Sequence, residues 1–356
     1  MRQYVSLALL VSLAVAAGAV SAQTKPPAKV IYTLTTKDVS VGLSAQTSIP
    51  QTLGYWKAEG IDVEVTTLEG STAGLQQLAA GNIHFATVGP EVALIAREKG
   101  VKVKSFYVVS GVTIFRVVVP KDSAIQSVAD LRGKTIGCSA LTSGAVPVAR
   151  ALLASGGLDP DKDVKWLAVG TGAPAAVAIN GKSVDAMALW GDFQAGLENR
   201  GLQFRQITAP FMKDLLGQVV IARDDFLTEH PAAAVAFARA LAKATLFGFS
   251  NPEAAVRLHW KMYPQSRPAG TDEAKILKDA IHVFNGRFES QRVDNREDKR
   301  WGASSLAQWQ KVFAIATQEK LIQGIFDVKD AFTGSLIDEV NRFDAQAVIR
   351  QAREYR

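Results

Sequence analysis

LEGSTAGLQQLAAGNIHFATVGPE, residues 68–91, decides how the rest of the chain is read. It opens as the end of a strand, turns through Gly70, Ser71 and Thr72, and continues as an Ala/Leu-rich helix. Leu75, Leu78 and Ala79 stand at i, i+3 and i+4, so one face of that helix is apolar. Gly81 and Asn82 end it in the way helices favour. Ile83, Phe85, Thr87 and Val88 then form a second strand, which Gly89-Pro90 stops. Two strands joined by a helix in this way make a parallel βαβ unit. Ligands bind such sheets at the carboxyl ends of the strands, here 69–72 and 89–91. Both ends carry small polar residues and free backbone amides beside a helix N-terminus, which attracts negative charge.

The pattern returns as VGTGAPAAVAINGKSVDAMALWGD, residues 169–192. Gly70 aligns with Gly170, Gly81 with Gly181 and, after a one-residue insertion, Glu91 with Asp192. Two equivalent units in one chain predict two similar α/β lobes. If the lobes face each other, both turns and both acids look into one cleft.

A chain of 356 residues is long enough for two such lobes. With 48% hydrophobic and 21% charged residues it has the balance of a globular protein. Arg2, the apolar run 5–20 and the small residues of Val20-Ser21-Ala22 read as a signal peptide cleaved after Ala22. The run is short for a membrane span, and no later run is expected to be long enough. Cys138 is the one cysteine, which excludes an intrachain disulfide, a cysteine-rich metal site and a lipid anchor after the signal. The mature chain is therefore expected to be soluble in a periplasm. The formal net charge of +6, of which the signal removes one, is mild; it helps capture anions or is a generic basic surface. No basic stripe with interleaved aromatics points to nucleic acid. His84, His230, His259 and His282 are scattered, and no phosphate-binding loop or catalytic signature is present. The chain is read as a non-enzyme with neither metal nor cofactor.

The remaining order follows from local signals. A strand over 30–35 leads into a polar loop over 36–47 and one helix over 48–58, with Pro50 in its first turn. The strands of FRVVVP (115–120) and GQVVIAR (217–223) stand where the chain should leave and re-enter the first lobe. The remainder is helical: a helix capped by Thr228 with Pro231 in its first turn, then helices over 251–263 and 271–284. Residues 287–300 are densely charged and lack periodicity, so they read as a solvated loop. Ser305 with Gln308 forms a capping-box pattern, and Asp344 caps the last helix.

QTLGYWKAEGIDVEV with EGSTAGLQQLAAGNIHFATVGPEVAL resembles periplasmic solute-binding proteins of ABC importers. The group is the nitrate/sulfonate/taurine and thiamine-pyrimidine-precursor (NMT1/THI5-like) family. SVADLRGKTIGCSALTSG, ARALLASGGLDPDKDVKWLAVGTGAP, GKSVDAMALWGD and KDAFTGSLIDEVNRFD match later parts of it, so the resemblance covers essentially the mature chain. It implies the type II periplasmic binding protein fold: two three-layer α/β/α lobes, two crossover segments and a helical C-terminal part. The expected division is 23–117 with 219–356 as the first lobe and 118–218 as the second. It further implies a monomer that captures a small organic anion between the lobes, closes by hinge motion and delivers it to an ABC permease and, through it, the ATPase. A thiamine pyrimidine precursor or other heteroaromatic ligand, a non-ABC importer or sensor, and a pyrimidine-synthesising enzyme of the same fold remain alternatives.

Carried onto this chain, the family's ligand contacts fall on Ser71, Thr72 and Gly89 in the first lobe and on Ser139, Thr142, Ser143, Gly144 and Thr171 in the second. Ser71 and Thr72 suit an anion's oxygens or the capping of their helix; both can hold. Trp190 either stacks on an apolar ligand face or fills the core. Glu91 and Asp192 either accept from a polar ligand group or pair with an arginine such as Arg116; two ionised acids would repel a bare dianion. Asp38 and Lys37 are the candidates in the first loop. Phe115 and Trp190 at the mouth hint at an organic ligand larger than nitrate.

Overall fold

β-branched and aromatic runs become strands, and glycines end the helices between them. A computed structural model describes residues 29–355 other than 38, 296 and 297. The signal segment with its cleavage after Ala22, residues 23–28 and Asp38 lie outside the described residues. Residues 30–108 form β1 (Val30–Leu34), α1 (Ser48–Thr52), α2 (Tyr55–Ala58), β2 (Val63–Thr67), α3 (Ser71–Ala79), β3 (Phe85–Val88), α4 (Pro90–Glu98) and β4 (Val103–Val108). Then come β5 (Phe115–Pro120), β6 (Thr135–Cys138), α5 (Ala145–Ser155), β7 (Lys165–Ala168), α6 (Ala173–Asn180), β8 (Ala186–Trp190), α7 (Gly191–Glu198) and β9 (Phe204–Ile207). After β10 (Val219–Arg223) the chain is helical: α8 (Asp224–Glu229), α9 (Pro231–Ser250), α10 (Pro252–Met262), α11 (Glu273–Phe288), α12 (Leu306–Gln318), α13 (Ile337–Val340) and α14 (Ala345–Glu354).

The strands form two sheets, in the orders β2-β1-β3-β10-β4 and β7-β6-β8-β5-β9. Each has a parallel trio and one antiparallel strand, β10 or β5, in the same place. Side chains alternate between faces, and both faces are covered. In β1, Tyr32 and Leu34 join one core while Ile31 packs on the other; in β5, Val117 and Val119 face one core and Val118 the other. Each sheet is therefore the middle of three layers. β5 begins at Phe115 and lies wholly in the second sheet, ahead of the expected boundary at 118. The two crossover segments bond to each other: Val109 and Ser110 N–H donate to the Gln218 carbonyl, and Gly217 N–H to that of Ser110.

The structure differs from the sequence reading in five places. The helix expected over 48–58 splits into α1 and α2, because Gly54 adopts φ +68° between them. The polar loop over 36–47 contains a 3-10 turn, Val41–Gln46, whose six residues are all buried. Thr228 lies inside α8, and α9 starts afresh at Pro231. α9 is also long and apolar enough to cross a membrane, contrary to the expectation, yet its alanine-rich surface is packed inside the first lobe. Finally, α11 extends to Phe288. Ile276, Ala280, Phe284 and Arg287 share its inner face, so Arg287 is buried on a helix, not solvated in a loop.

α11 packs in the first lobe's core and also carries the second lobe. α7 crosses it at Gly191 and Gly286, where a Cβ on Gly191 would lie 1.8 Å from the Gly286 carbonyl oxygen. Only two glycines allow so close an approach. Around the crossing, Asn199 Nδ2 donates to the Asp279 carbonyl at 2.8 Å, and His282 Nε2 lies 2.6 Å from Glu198 Oε2. Farther off, Arg150 Nε of α5 meets Glu319 Oε2 behind α12 at 2.6 Å.

Candidate functional site

In the first lobe the predicted residues gather at the carboxyl ends of β2 and β3, beside Thr35 at the end of β1. Gly70, at φ +90°, is the N-cap of α3, so Ser71 and Thr72 occupy its first turn and neither caps it. The Ser71 hydroxyl instead accepts the Gly89 N–H at 3.3 Å and lies 3.5 Å from Thr35 Oγ1. Thr72 is exposed. Glu91 follows Pro90 in the first turn of α4, and its carboxylate folds back over Gly89: a Cβ there would lie 2.2 Å from Oε1. Burial pushes the Glu91 carboxyl above its ordinary value. Behind this cluster, the Tyr32 hydroxyl donates to Gln46 Oε1 at 2.8 Å and lies 2.5 Å from Thr87 Oγ1.

In the second lobe, Ser139, Thr142, Ser143 and Gly144 connect β6 to α5. Gly144 is the N-cap, and the Ser143 hydroxyl accepts the Ala145 N–H at 3.3 Å. A Cβ on Gly144 would lie 2.7 Å from Phe115 Cζ, so this turn rests on the Phe115 ring. Phe115 pairs with Trp190 across β5 and β8. The Trp190 ring lies 5.1 Å from Phe193 and packs against the core while staying partly exposed. The Ser139 carbonyl accepts the Gly170 N–H at 3.2 Å, which draws the Thr171 turn alongside. Thr142 and Thr171 are themselves exposed.

Asp192 joins the lobes. It is the second residue of α7, as Glu91 is of α4, and only 8% exposed. Ser40 Oγ donates to its Oδ2 at 2.9 Å, and Arg287 Nη1 to its Oδ1 at 3.3 Å. Arg287 Nη2 also donates to Gln218 Oε1 at 2.9 Å on the returning crossover. The arginine partner is thus Arg287, not Arg116, whose Nη1 donates to Gln194 Oε1 at 3.2 Å. Of the two alternatives for the acids, Asp192 pairs with an arginine, Arg287, while burial disfavours the ionised form of Glu91.

Ser40, Gln46, Gln218 and Arg287 were missed by the sequence reading. The available signal was Arg287 on the apolar stripe of α11, a charge where the period calls for an apolar residue. A groove of about 580 Å³ opens onto Ser40, between β2 and the end of α10. Val65, Thr66, Thr67, Tyr263 and Gln265 line it, with Lys37, which is exposed and paired with Glu69 at 2.6 Å. That size suits a small-molecule pocket. Among the described residues no group of three His, Cys, Asp or Glu side chains could hold a metal.

Residues 44–255 match the family described as NMT1/THI5 like. A protein of Brucella abortus (strain 2308), named only as a binding protein, is 25% identical over 232 residues, covering 64% of this chain and 70% of its own length. The riboflavin-binding protein RibY of Chloroflexus aurantiacus is 22% identical over 288 residues, 80% of this chain and 79% of its own. Among solved structures, the alkanesulfonate-binding protein SsuA from Xanthomonas axonopodis pv. citri, bound to MOPS, superposes with a TM-score of 0.62 at 17% identity. That match covers 87% of this chain and 99% of the SsuA chain.

Proposed function

The chain belongs to the NMT1/THI5-like family and has the type II periplasmic binding protein fold, and from that premise we propose that it is the solute-binding component of an ABC importer. It captures a small organic anion between the lobes in the periplasm, after removal of residues 1–22, and hands it to the membrane permease. The observation that carries this reading is Asp192: a buried carboxylate of one lobe held by Ser40 and Arg287 of the other, so that the lobes close over a polar centre. The ligand lies between the Ser71, Thr72, Gly89 and Glu91 cluster and the Ser139, Thr142, Ser143, Gly144 and Thr171 turns, with Trp190 beside its apolar part. Phe115 and Trp190 at the wall favour a ligand that carries a ring, which keeps a heteroaromatic acid within the class.

Native mass spectrometry of protein purified from a periplasmic extract tests the reading. The expected species is a chain beginning at Gln23 with one small organic acid bound, recovered chemically unchanged after incubation. A chain with residues 1–22 retained in the membrane fraction contradicts the localisation. Conversion of the recovered molecule into a product contradicts a binding role.

A further inference from the structure

The interior where the lobes meet contains more hydrogen-bonding capacity than the protein itself uses. Arg287 is 5% exposed, yet its Nε has no partner among the described residues. The same holds for Gln46 Nε2, Ser44 Oγ and both side-chain polar atoms of Gln291, on residues no more than 1% exposed. Buried polar groups are ordinarily satisfied, and leaving one unmade costs about 1–3 kcal/mol. Such groups, collected at one place, call for an occupant.

They do collect. Ser44 and Gln46 belong to the buried 3-10 turn Val41–Gln46. That turn lies against the ion pair: a Cβ on Gly42 would be 2.9 Å from Arg287 Cβ and 3.2 Å from Asp192 Oδ2. Gln291 follows Arg287 by one helical turn, and the neighbouring Ser290 hydroxyl bonds Ser110 on the first crossover at 3.1 Å. Gln46 Oε1 is already engaged by Tyr32 and Thr87, which fixes its amide nitrogen as the free end. Thr87 connects this interior to the first-lobe turn, since its carbonyl accepts the Thr35 hydroxyl, which lies 3.5 Å from Ser71 Oγ, and Asp192 follows Trp190 by two residues.

We propose that the acidic group of the ligand binds the free edge of Arg287, completed by the Gln46 amide and the Ser44 hydroxyl. This rests on the solute-binding reading and sharpens it: the ligand is a carboxylate or sulfonate recognised by a buried guanidinium. Asp192 and Gln218 take the Nη groups and fix the plane of the guanidinium, so that Nε faces the ligand's oxygen. Asp192 is then a positioning residue for Arg287, not itself the acceptor of a polar ligand group.

The test is titration of the full mature chain, by calorimetry and thermal shift, with 1-propanesulfonate, butyrate and benzoate, each beside its primary amide. Wild type is expected to bind at least one acid and to bind the corresponding amide roughly ten- to a hundredfold more weakly. Arg287→Gln combined with Asp192→Asn leaves no buried charge unpaired and so preserves the fold. It is expected to lose that discrimination, binding acid and amide alike. Gln46→Glu keeps the acceptor for Tyr32 and Thr87 and is expected to weaken the acid alone. If the amide binds wild type as tightly as its acid, or the double variant keeps the preference, Arg287 is not the anchor although solute binding stands. If none of the six compounds binds wild type, the organic-anion reading falls with it.

Discussion

Alanine at Gly191 places a methyl carbon 1.8 Å from the carbonyl oxygen of Gly286 and 2.8 Å from its carbonyl carbon. Both are backbone atoms of α11, so no rotamer change relieves the clash. Ordinary contact begins at 3.4 Å, and the helices must part by roughly one and a half ångströms to reach it. Overpacking of this sort costs about 1–3 kcal/mol. The separation also stretches the Arg287–Asp192 bond from 3.3 Å to beyond bonding reach, and breaking a buried pair costs about 3–5 kcal/mol when it is complete. Better helix propensity returns at most about 1 kcal/mol. The expected loss is about 3 kcal/mol or more, measured from the urea midpoint at unchanged slope. Gly196 supplies the control. It lies on the same helix with nothing within 4 Å of its would-be Cβ, so Gly196→Ala should gain about 0.5–1 kcal/mol. If Gly191→Ala unfolds within about 0.5 kcal/mol of wild type, the glycine crossing does not carry the contact between the lobes.

Two pH-linked outcomes follow from buried groups. His259 is fully buried, bonded to Ser48 and to the Val39 carbonyl, and burial lowers its pKa to about 4. The unfolded chain takes up this proton near pH 6.5 and the folded one does not. Stability present above that pH should therefore fall by on the order of 3 kcal/mol as the pH drops towards 4. Urea melts of His259→Gln should lose this slope; an unchanged slope contradicts the assignment. Glu91 has the opposite linkage, its carboxyl being raised by burial, so folding opposes its ionisation. Glu91→Gln should raise the neutral-pH midpoint, and the gain should vanish below the carboxyl's ordinary range, where both states are protonated. Equal midpoints at neutral pH would show that Glu91 is better solvated than its place over Gly89 implies.

The repeat was legible because its signals are local. Gly70 and Gly81 needed left-handed backbone, and both adopt it; Glu91 and Asp192, matched by alignment alone, each became the second residue of a helix. The capping box at Ser305 and Gln308 formed for the same reason. What stayed hidden depends on partners far away in sequence. The turn Val41–Gln46 reads as polar loop until Tyr32 and Thr87 are brought to Gln46. Arg287 reads as solvated because its compensation comes from Asp192 in the other lobe. Ser71 and Thr72 looked like caps because Gly70, with no side chain to bond, had already taken that position. The asymmetry is physical: a residue's own backbone preference is written beside it, whereas the counter-charge that lets an arginine be buried is supplied only by the assembled fold.

The bonded crossovers govern the mechanics of the molecule. Two independent tethers would let the lobes swivel and slide against each other. Here Val109 and Ser110 are laced to Gln218, and Gly217 to Ser110, so both connections behave as one narrow ribbon. Gly217 draws them tight, since a Cβ there would lie 2.5 Å from Ser110 Cβ and from the Val112 carbonyl oxygen. A ribbon of two bonded strands bends across its flat face more readily than it shears in its plane, because shear must break the bonds between the strands. The bonds between the crossovers thereby resist sliding of one lobe past the other more than bending between them.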